Sequence, residues 1–386
     1  MDNINKKVFD FKNNKKKRIA FIIGSLNIGG TERHLLNLIN RLDPTKYDID
    51  IHLLNEKGIL FEELNSSVKK FYPKKIIYKK IDHFFNFFRT LWRIKATKPD
   101  VIHCFLPQSY IFGGVIGLIL NHKNIIMSRR SLNFYQNNFK FFPFKKLESF
   151  LHKRTRLILA NSIAVKKQLI NEEHVDEKKC RLIYNGIIKP TKTNYKVNIL
   201  KRKLGIVSSD FVFSSIANFI PYKNHLLIIK AAKKLMSVTK NFKILFVGGG
   251  EKEYVDFLKK EVLKHYLDKN IFFQKQSRED VKFFLISDVG ISSSKEEGLS
   301  NTILEFLYFG KPVIATNVGG NPELVNKSNG FLIDSNSHEQ MFNAMKSIIG
   351  NKKRYQRLKR GAKNKSMSFD FTSMVKKYEE IYDKII

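Results

Sequence analysis

Glu297 and Glu305 stand eight residues apart in "KEEGLSNTILE" (Lys295–Glu305), with Gly298 and Ser300 between them. Carboxylates at this spacing, one ahead of an apolar helix and one inside it, can accept hydrogen bonds from vicinal hydroxyls such as those of a ribose. Ser300 or Asn301 is placed to cap that helix. Residues 298–301 then present backbone N–H groups at a positive helix end, an anion site suited to a diphosphate. Gly298 lets a ligand come close to the backbone. The pattern fits a diphosphate at the helix end, a ribose at Glu305 and a second hydroxylated group at Glu297. The spacing alone equally fits an ordinary helix with two solvated glutamates.

Other stretches bear on that choice. "IANFIPYKNH" (216–225) follows an apolar run and sets Lys223 at the end of a loop, where an ammonium can neutralise a departing phosphate. "VGGGE" (247–251) is a glycine loop able to pass close to a nucleotide base, and "TNVGGNPELV" (316–325) is another glycine turn. "NIGGTERHLLNL" (27–38) puts Gly29 and Gly30 immediately before a helix, where their N–H groups could meet the same phosphates from an opposite wall. One such loop is weak evidence, since turns use glycine anyway. Their recurrence after successive apolar runs is much stronger.

Those runs set the architecture. Residues 18–24, 47–54, 100–105, 124–128 and 156–161 are continuous and rich in Ile, Leu and Val, as parallel strands covered on both faces are. Helical patterns lie between them, at 31–42 and 164–173. After a polar, proline-containing pause the alternation restarts, with strands at 211–218, 243–250, 271–274, 289–294 and 312–317. Helices are expected near 224–238, 252–267, 279–286 and 301–309. This predicts two doubly wound parallel-sheet α/β domains, Rossmann-like, facing across a cleft at the carboxyl ends of their strands. The expected division is 1–188, a linker at 189–200, a second domain at 201–365, and a C-terminal helix at 366–386 packing back toward the first.

The chain has 386 residues and a formal net charge of +35. Such a field favours anionic partners, although a genome rich in lysine codons would produce the same excess. No zinc spacing, helix-turn-helix pattern or aromatic RNA-binding signature supports nucleic acid as the partner. Cys104 and Cys180 are too few for a disulfide framework and fit reduced thiols in the cytosol. The basic start runs into "IAFIIGSLNIGG", read as a first strand and loop rather than a signal peptide. The longest apolar stretch, Ile111–Leu120, is far below the ~20 residues of a membrane span.

Residues 69–95 hold nine Lys or Arg, one Asp and many aromatics, including Trp92, the only tryptophan. "NFYQNNFKFFPFKK" (133–146) repeats the theme. Such mixtures suit the headgroup layer of an anionic membrane. They also suit helices with an aromatic core side and a basic outer side.

The segments "GGTERHLLNL", "DVIHCF", "ANSIAV", "IYNGI", "PYKNH", "VGGGE", Glu297–Glu305 and "VGGNPELV" followed by "NGFLI" occur in one order from about residue 20 to 333. In this the chain resembles the family 4 retaining glycosyltransferases (glycosyl transferases group 1), which have the two-domain GT-B fold. The resemblance implies that Glu305 binds the donor ribose and Glu297 the transferred sugar. Lys223 then contacts the diphosphate, helped by the backbone at Gly29, Gly30, Leu299 and Ser300, with Asn218 and Gly249 in the donor loops.

It further implies transfer with retention from a nucleotide-sugar co-substrate, UDP-linked by preference, with no cofactor and no bound metal. The acceptor is expected to be a glycan or lipid-linked glycan in surface polysaccharide synthesis. The protein is expected to be cytoplasmic, touching the inner face of an anionic plasma membrane. His103 in "DVIHCF" is either a catalytic cleft histidine at a strand end or a satisfied local one. "DID" (48–50) lies inside an expected strand and is taken as structural. One departure concerns charge: many members carry an arginine near the lysine, where this chain has Asn218 and Ile220. Arg129 or Arg130 in "SRRSLN" is the proposed substitute, contacting phosphate or acceptor. The competing classes are a nucleotide-sugar epimerase on the same fold and a basic nucleic-acid-binding protein.

Overall fold

The computed structural model describes residues 16–73, 79–138, 144–190, 193–275 and 280–386. Residues 74–78 and 139–143 of the two basic-aromatic stretches, and 191–192 of the expected linker, lie outside these.

The chain runs β1 (Lys17–Ile23), α1 (Gly30–Arg41), β2 (Tyr47–Leu53), β3 (Lys69–Phe71), α2 (Lys79–Thr97), β4 (Val101–Phe105), α3 (Pro107–Ile119), β5 (Ile125–Arg129), α4 (Phe144–Arg154), β6 (Leu157–Ala160), α5 (Ile163–Asn171) and β7 (Cys180–Leu182). It continues with α6 (Val197–Lys203), β8 (Phe211–Ile216), α7 (His225–Met236), β9 (Phe242–Gly248), α8 (Lys252–Lys264), β10 (Ile271–Lys275), α9 (Val281–Ile286) and β11 (Val289–Ser292). The last elements are α10 (Asn301–Tyr308), β12 (Val313–Thr316), α11 (Asn321–Leu324), β13 (Gly330–Ile333), α12 (His338–Ile349), α13 (Lys352–Ser366) and α14 (Phe371–Ile385).

Two sheets result, ordered β3-β2-β1-β4-β5-β6-β7 and β10-β9-β8-β11-β12-β13. Every pair in the second sheet is parallel, as are β1 with β2 and β4, β2 with β3, and β6 with β7. Their apolar runs are buried because helices cover parallel sheets on both faces. Strand order reverses beside β1 in one sheet and beside β8 in the other. At such switch points, loops leave the strand ends in opposite directions and open a crevice.

Two compact units form. One comprises Met1–Met127, Arg154–Arg156 and Glu379–Ile386; the other comprises Ser128–Lys153 and Leu157–Tyr378. In the first, Tyr382 of α14 packs edge-on against Phe21 and Tyr47. Its hydroxyl meets Nδ1 of His103 at 2.7 Å. His103 is fully buried in mid-strand, ringed by Phe21 and Phe105. This corrects the expectation of a cleft histidine at a strand end. In a strand covered on both faces, an inward polar residue looks the same in sequence as an open one.

The second unit holds a buried ion cluster. Arg129 donates to Glu148 at 2.9 Å, to Glu173 at 2.6 Å and to the Ser131 carbonyl at 3.1 Å, with the Tyr135 ring on its guanidinium. Glu148 also accepts from Tyr135 and Gln136, and Glu173 pairs with His152. Arg129 is fully buried and committed, so it cannot serve a ligand phosphate, contrary to its proposed role. Among the described residues, Glu148, His152 and Glu173 are the one group with metal-ligand spacing. The guanidinium already supplies the positive charge there.

Replacing Arg129 by alanine would leave two carboxylates buried without their cation. We expect a loss of ~3–5 kcal/mol in unfolding free energy, measured by urea denaturation. A loss below 1 kcal/mol would show that the cluster is not the anchor described.

Candidate active site

The second sheet's switch point lies between β8 and β11, and the two loops that follow these strands carry the charged residues. The β8 loop is knitted to the glycine loop after β9: Ala217 N–H donates to Val247 O at 2.9 Å, and Phe219 N–H to Gly249 O at 2.7 Å. A Cβ at Gly248 would fall 2.1 Å from the Ala217 carbonyl, and one at Gly250 would fall 2.4 Å from the Phe219 carbonyl. Both glycines are therefore demanded by chain packing. Gly249 is different, because a Cβ there would meet nothing within 4 Å. Among the described residues nothing requires glycine at 249, and none crowds the space beside it. Asn218, between the knitted residues, is exposed.

A single 3-10 turn, Pro221–Lys223, then leads through left-handed Asn224 (φ 53°) into α7. His225 is buried against Phe219 and Phe246; burial, then the Lys223 charge, push its pKa down to about 3, so it stays neutral. Lys223 itself reaches back, and its Nζ donates to Glu297 Oε1 at 2.5 Å. Ser294 Oγ donates to the same oxygen at 2.8 Å. The loops are stitched together by Lys295 N–H to Tyr222 O and by Ser293 Oγ to Lys223 O, both at 2.7 Å. Burial is the largest single influence on the Lys223 ammonium and works against it, but Glu297, joined by Tyr222 and Glu296, holds the pKa above the usual lysine value. The two residues marked by sequence as sugar and phosphate ligands are thus partners.

Backbone contacts fix Glu297. Gly319 is left-handed (φ +51°), and a Cβ there would lie 1.7 Å from the Glu297 carbonyl. One at Gly320 would lie 2.3 Å from the Gly298 carbonyl. Thr316, at the end of β12, donates its hydroxyl to Ser294 O at 2.6 Å. Gly298 faces the Arg130 carbonyl, which a Cβ would approach to 2.2 Å, and Asn161 Oδ1. Packing by itself demands glycine at this position. Arg130 consequently stands beside the site through its backbone, and its side chain interacts with Tyr378.

Ser300 is the N-cap of α10, its Oγ accepting from Ile303 N–H at 3.4 Å. Leu299 is buried in the apolar core with Ile303 and Leu304. Its carbonyl accepts from Asn185 Nδ2 at 3.4 Å, and the same amide reaches Asn301 Oδ1 at 2.5 Å. Asn185 of "IYNGI" received no role from sequence; it ties the start of α10 in place. Thr302 Oγ1 donates to the Ile216 carbonyl at 3.1 Å, linking α10 to the end of β8. Glu305 is half-buried on α10, among the buried Ile303, Leu304, Phe306 and Leu307.

In the first unit, Gly29 caps α1 with extended backbone and Gly30 opens it. The Glu32 carboxylate folds back over Gly29, where a Cβ would come within 2.2 Å of it. A ligand anion at this helix end would compete with Glu32. The third-position acid in "GGTE" was a readable sign of this. Sequence gave no sign of Leu106, which follows β4 at the switch point with φ 74° and ψ 151°. A non-glycine residue there is strained by ~1–3 kcal/mol, as residues at functional sites often are.

Two family profiles match the chain: Glycosyltransferase Family 4 over residues 28–188, and Glycosyl transferases group 1 over residues 196–365. The chain belongs to the group 1 glycosyltransferases, of the family 4 type. This glycosyltransferase is 26% identical over 379 residues (95% of this chain, 97% of the relative) to the UDP-Gal:alpha-D-GlcNAc-diphosphoundecaprenol alpha-1,3-galactosyltransferase of Escherichia coli. It is 24% identical over 369 residues (92% and 96%) to the N-acetylgalactosamine-N,N'-diacetylbacillosaminyl-diphospho-undecaprenol 4-alpha-N-acetylgalactosaminyltransferase of Campylobacter jejuni. Among solved structures, HepE of Anabaena in complex with UDP and glucose superposes with a TM-score of 0.81 at 19% identity, covering 95% of this chain and 100% of that one. The fold is GT-B, with two parallel-sheet α/β domains.

Glu296 of this glycosyltransferase stands beside Glu297 and belongs to no motif of its own. Its Oε2 is buried with no hydrogen-bond partner among the described residues. Burial first, and then the neighbouring Glu297, raise its pKa above the ordinary 4.5, with Lys223 pulling the other way. A carboxyl whose pKa is raised on folding costs stability once it ionises. Glu296→Gln should therefore melt at a higher temperature than the parent at pH 7. That gain should shrink as pH falls and vanish below pH ~4, where both states are protonated. A gain independent of pH would dissociate it from the Glu296 charge.

Proposed function

We propose that this glycosyltransferase moves a sugar, a hexose or N-acetylhexosamine, from a UDP-linked donor to a hydroxyl of a lipid-linked glycan, with retention and without a bound metal. The observation carrying this is the Lys223–Glu297 pair at the switch point, beside the capped start of α10. Two relatives whose names specify diphospho-undecaprenol acceptors, and a solved neighbour holding UDP, support the choice of donor and acceptor.

In the reaction, the bond from the anomeric carbon to the diphosphate oxygen breaks and a bond to the acceptor oxygen forms. The acceptor's proton leaves with the diphosphate or to water. The chain must therefore stabilise growing negative charge on the leaving group and positive charge at the sugar. Lys223 and the N–H groups opening α10 do the first. Glu297, released by Lys223, accepts sugar hydroxyls and faces the cationic centre. Glu305 takes the ribose hydroxyls, and the open space at Gly249 admits the nucleotide. Arg130 lies next to this group, with its backbone against Gly298. Together the lysine and the helix end supply cationic character of the kind a metal would otherwise provide. Such a donor and acceptor place the protein in the cytoplasm, in peripheral contact with an anionic membrane during surface polysaccharide synthesis.

Calorimetric titration with UDP and UDP-sugars should show binding that Lys223→Ala and Glu305→Ala each weaken, with turnover falling ~100-fold or more and EDTA without effect. Proton NMR of the product should show the donor's anomeric configuration. Unchanged affinity in both variants would remove the site assignment. The glycine loop makes a separate test. Gly249→Ala should keep the parent melting temperature while weakening nucleotide binding, whereas Gly248→Ala should lower the melting temperature. The same thermal loss in both would mean that 249 is a packing position like 248.

A further inference from the structure

Helix α2 buries Ile94 and packs Phe87 on Phe112, yet it turns further aromatic rings outward. Asn86, Thr90 and Ile94, four residues apart, face inward at 5%, 2% and 1% exposure. Asn86 Nδ2 donates to the carbonyls of Leu53 and Leu54 at 3.3 and 3.2 Å, so an amide rather than an apolar side chain anchors the helix at that point. The opposite face carries Phe84, Phe85, Phe88 and Trp92, exposed at 60%, 63%, 50% and 70%. The Phe84 ring lies 6.1 Å from that of Phe85 and 4.8 Å from that of Phe88, forming one aromatic surface. A helix placed by its own hydrophobic burial would turn these rings inward. Contiguous exposed apolar rings of this kind mark a surface that meets something outside the chain.

Charge selects what it meets. In sequence α2 carries Lys79, Lys80, Arg89, Arg93 and Lys95 against a single Asp82. Arg89 and Lys95 are exposed beside the rings, and the whole chain carries +35. Aromatic rings flanked by cations match an anionic lipid surface, where rings enter the acyl boundary and cations stay among headgroups. A second positively charged copy of this chain would be repelled.

We propose that the Phe84–Phe85–Phe88–Trp92 face of α2 inserts into an anionic lipid bilayer, with the helix lying in the membrane plane. This rests on the proposed function for its setting, a lipid-linked acceptor, and it adds the element and the mode: insertion of rings rather than surface attraction alone.

Trp92 is the only tryptophan, so its fluorescence reports on this face and nothing else. The full-length protein is mixed with vesicles of phosphatidylcholine, with and without phosphatidylglycerol, in the absence of any sugar. With phosphatidylglycerol present, emission should move to shorter wavelength and be quenched by acyl-brominated lipid. Both effects should persist at raised salt, because inserted rings are not screened. The Phe84→Ser, Phe88→Ser double variant should bind these vesicles about tenfold less tightly, with an unchanged melting curve and unchanged nucleotide binding. Unaltered Trp92 emission with every vesicle would overturn the proposal. So would binding without quenching that salt abolishes, or a blue shift that grows with protein concentration in the absence of lipid. Because no sugar transfer is measured, failure here leaves the transferase reading standing. Unchanged UDP affinity in the Lys223 and Glu305 variants would in turn leave this one standing.

Discussion

The carbonyl oxygen of Glu297 occupies the place where any side chain at 319 would have to be. Gly320 meets the carbonyl of Gly298 in the same way, and Gly298 meets that of Arg130. Three segments distant in sequence thus interlock through main chain, with hydrogen atoms where other residues carry carbon. The constraint is steric. It fixes the backbone of 297–298 before any charge acts, and the Glu297 carboxylate can then meet Lys223 and Ser294. The cap at Ser300 and the Asn185 amide hold the next turn, so helix α10 begins at a defined point.

Much of this was legible in the sequence, for identifiable reasons. A parallel strand covered on both faces must be apolar throughout, so β1, β4, β9 and β12 announce themselves. Helix α1 was expected at 31–42 and runs Gly30–Arg41, since glycines mark its start and the apolar period its body. The short strands β3, "KKF", and β7, "CRL", are too brief and too charged to show any period, and were missed. Lys223 and Glu297 could be picked out because each follows a strand directly, which is where a switch-point loop must put its ligands.

What sequence did not carry is partnership across distance. Arg129 and Arg130 are adjacent and chemically identical, yet only Arg129 has turned into a buried cluster with Glu148 and Glu173. That outcome depends on which side chain a strand end turns inward, and on carboxylates 19 and 44 residues away. His103 was ambiguous for a related reason: its partner, Tyr382, lies 279 residues on, in the final helix. Glu296 hid beside Glu297, because a motif names one acid and says nothing of its neighbour.

Arg129 and Lys223 differ in how they are held, and the difference reaches beyond stability. Arg129 is gripped on several sides and has no reason to change partners. Lys223 is paired with one carboxylate that is itself a ligand in the proposed reaction. The resting site is thereby self-neutralised, like a socket closed by its own plug. Inorganic phosphate or another stray anion could draw the lysine away only by stranding Glu297 without a cation, which is costly in a half-buried place. A molecule offering phosphate oxygens to the lysine and ring hydroxyls to the glutamate repays both partners at once. Discrimination between a nucleotide-sugar and the abundant free anions of a cell would then arise from exchange, with no gate or lid required.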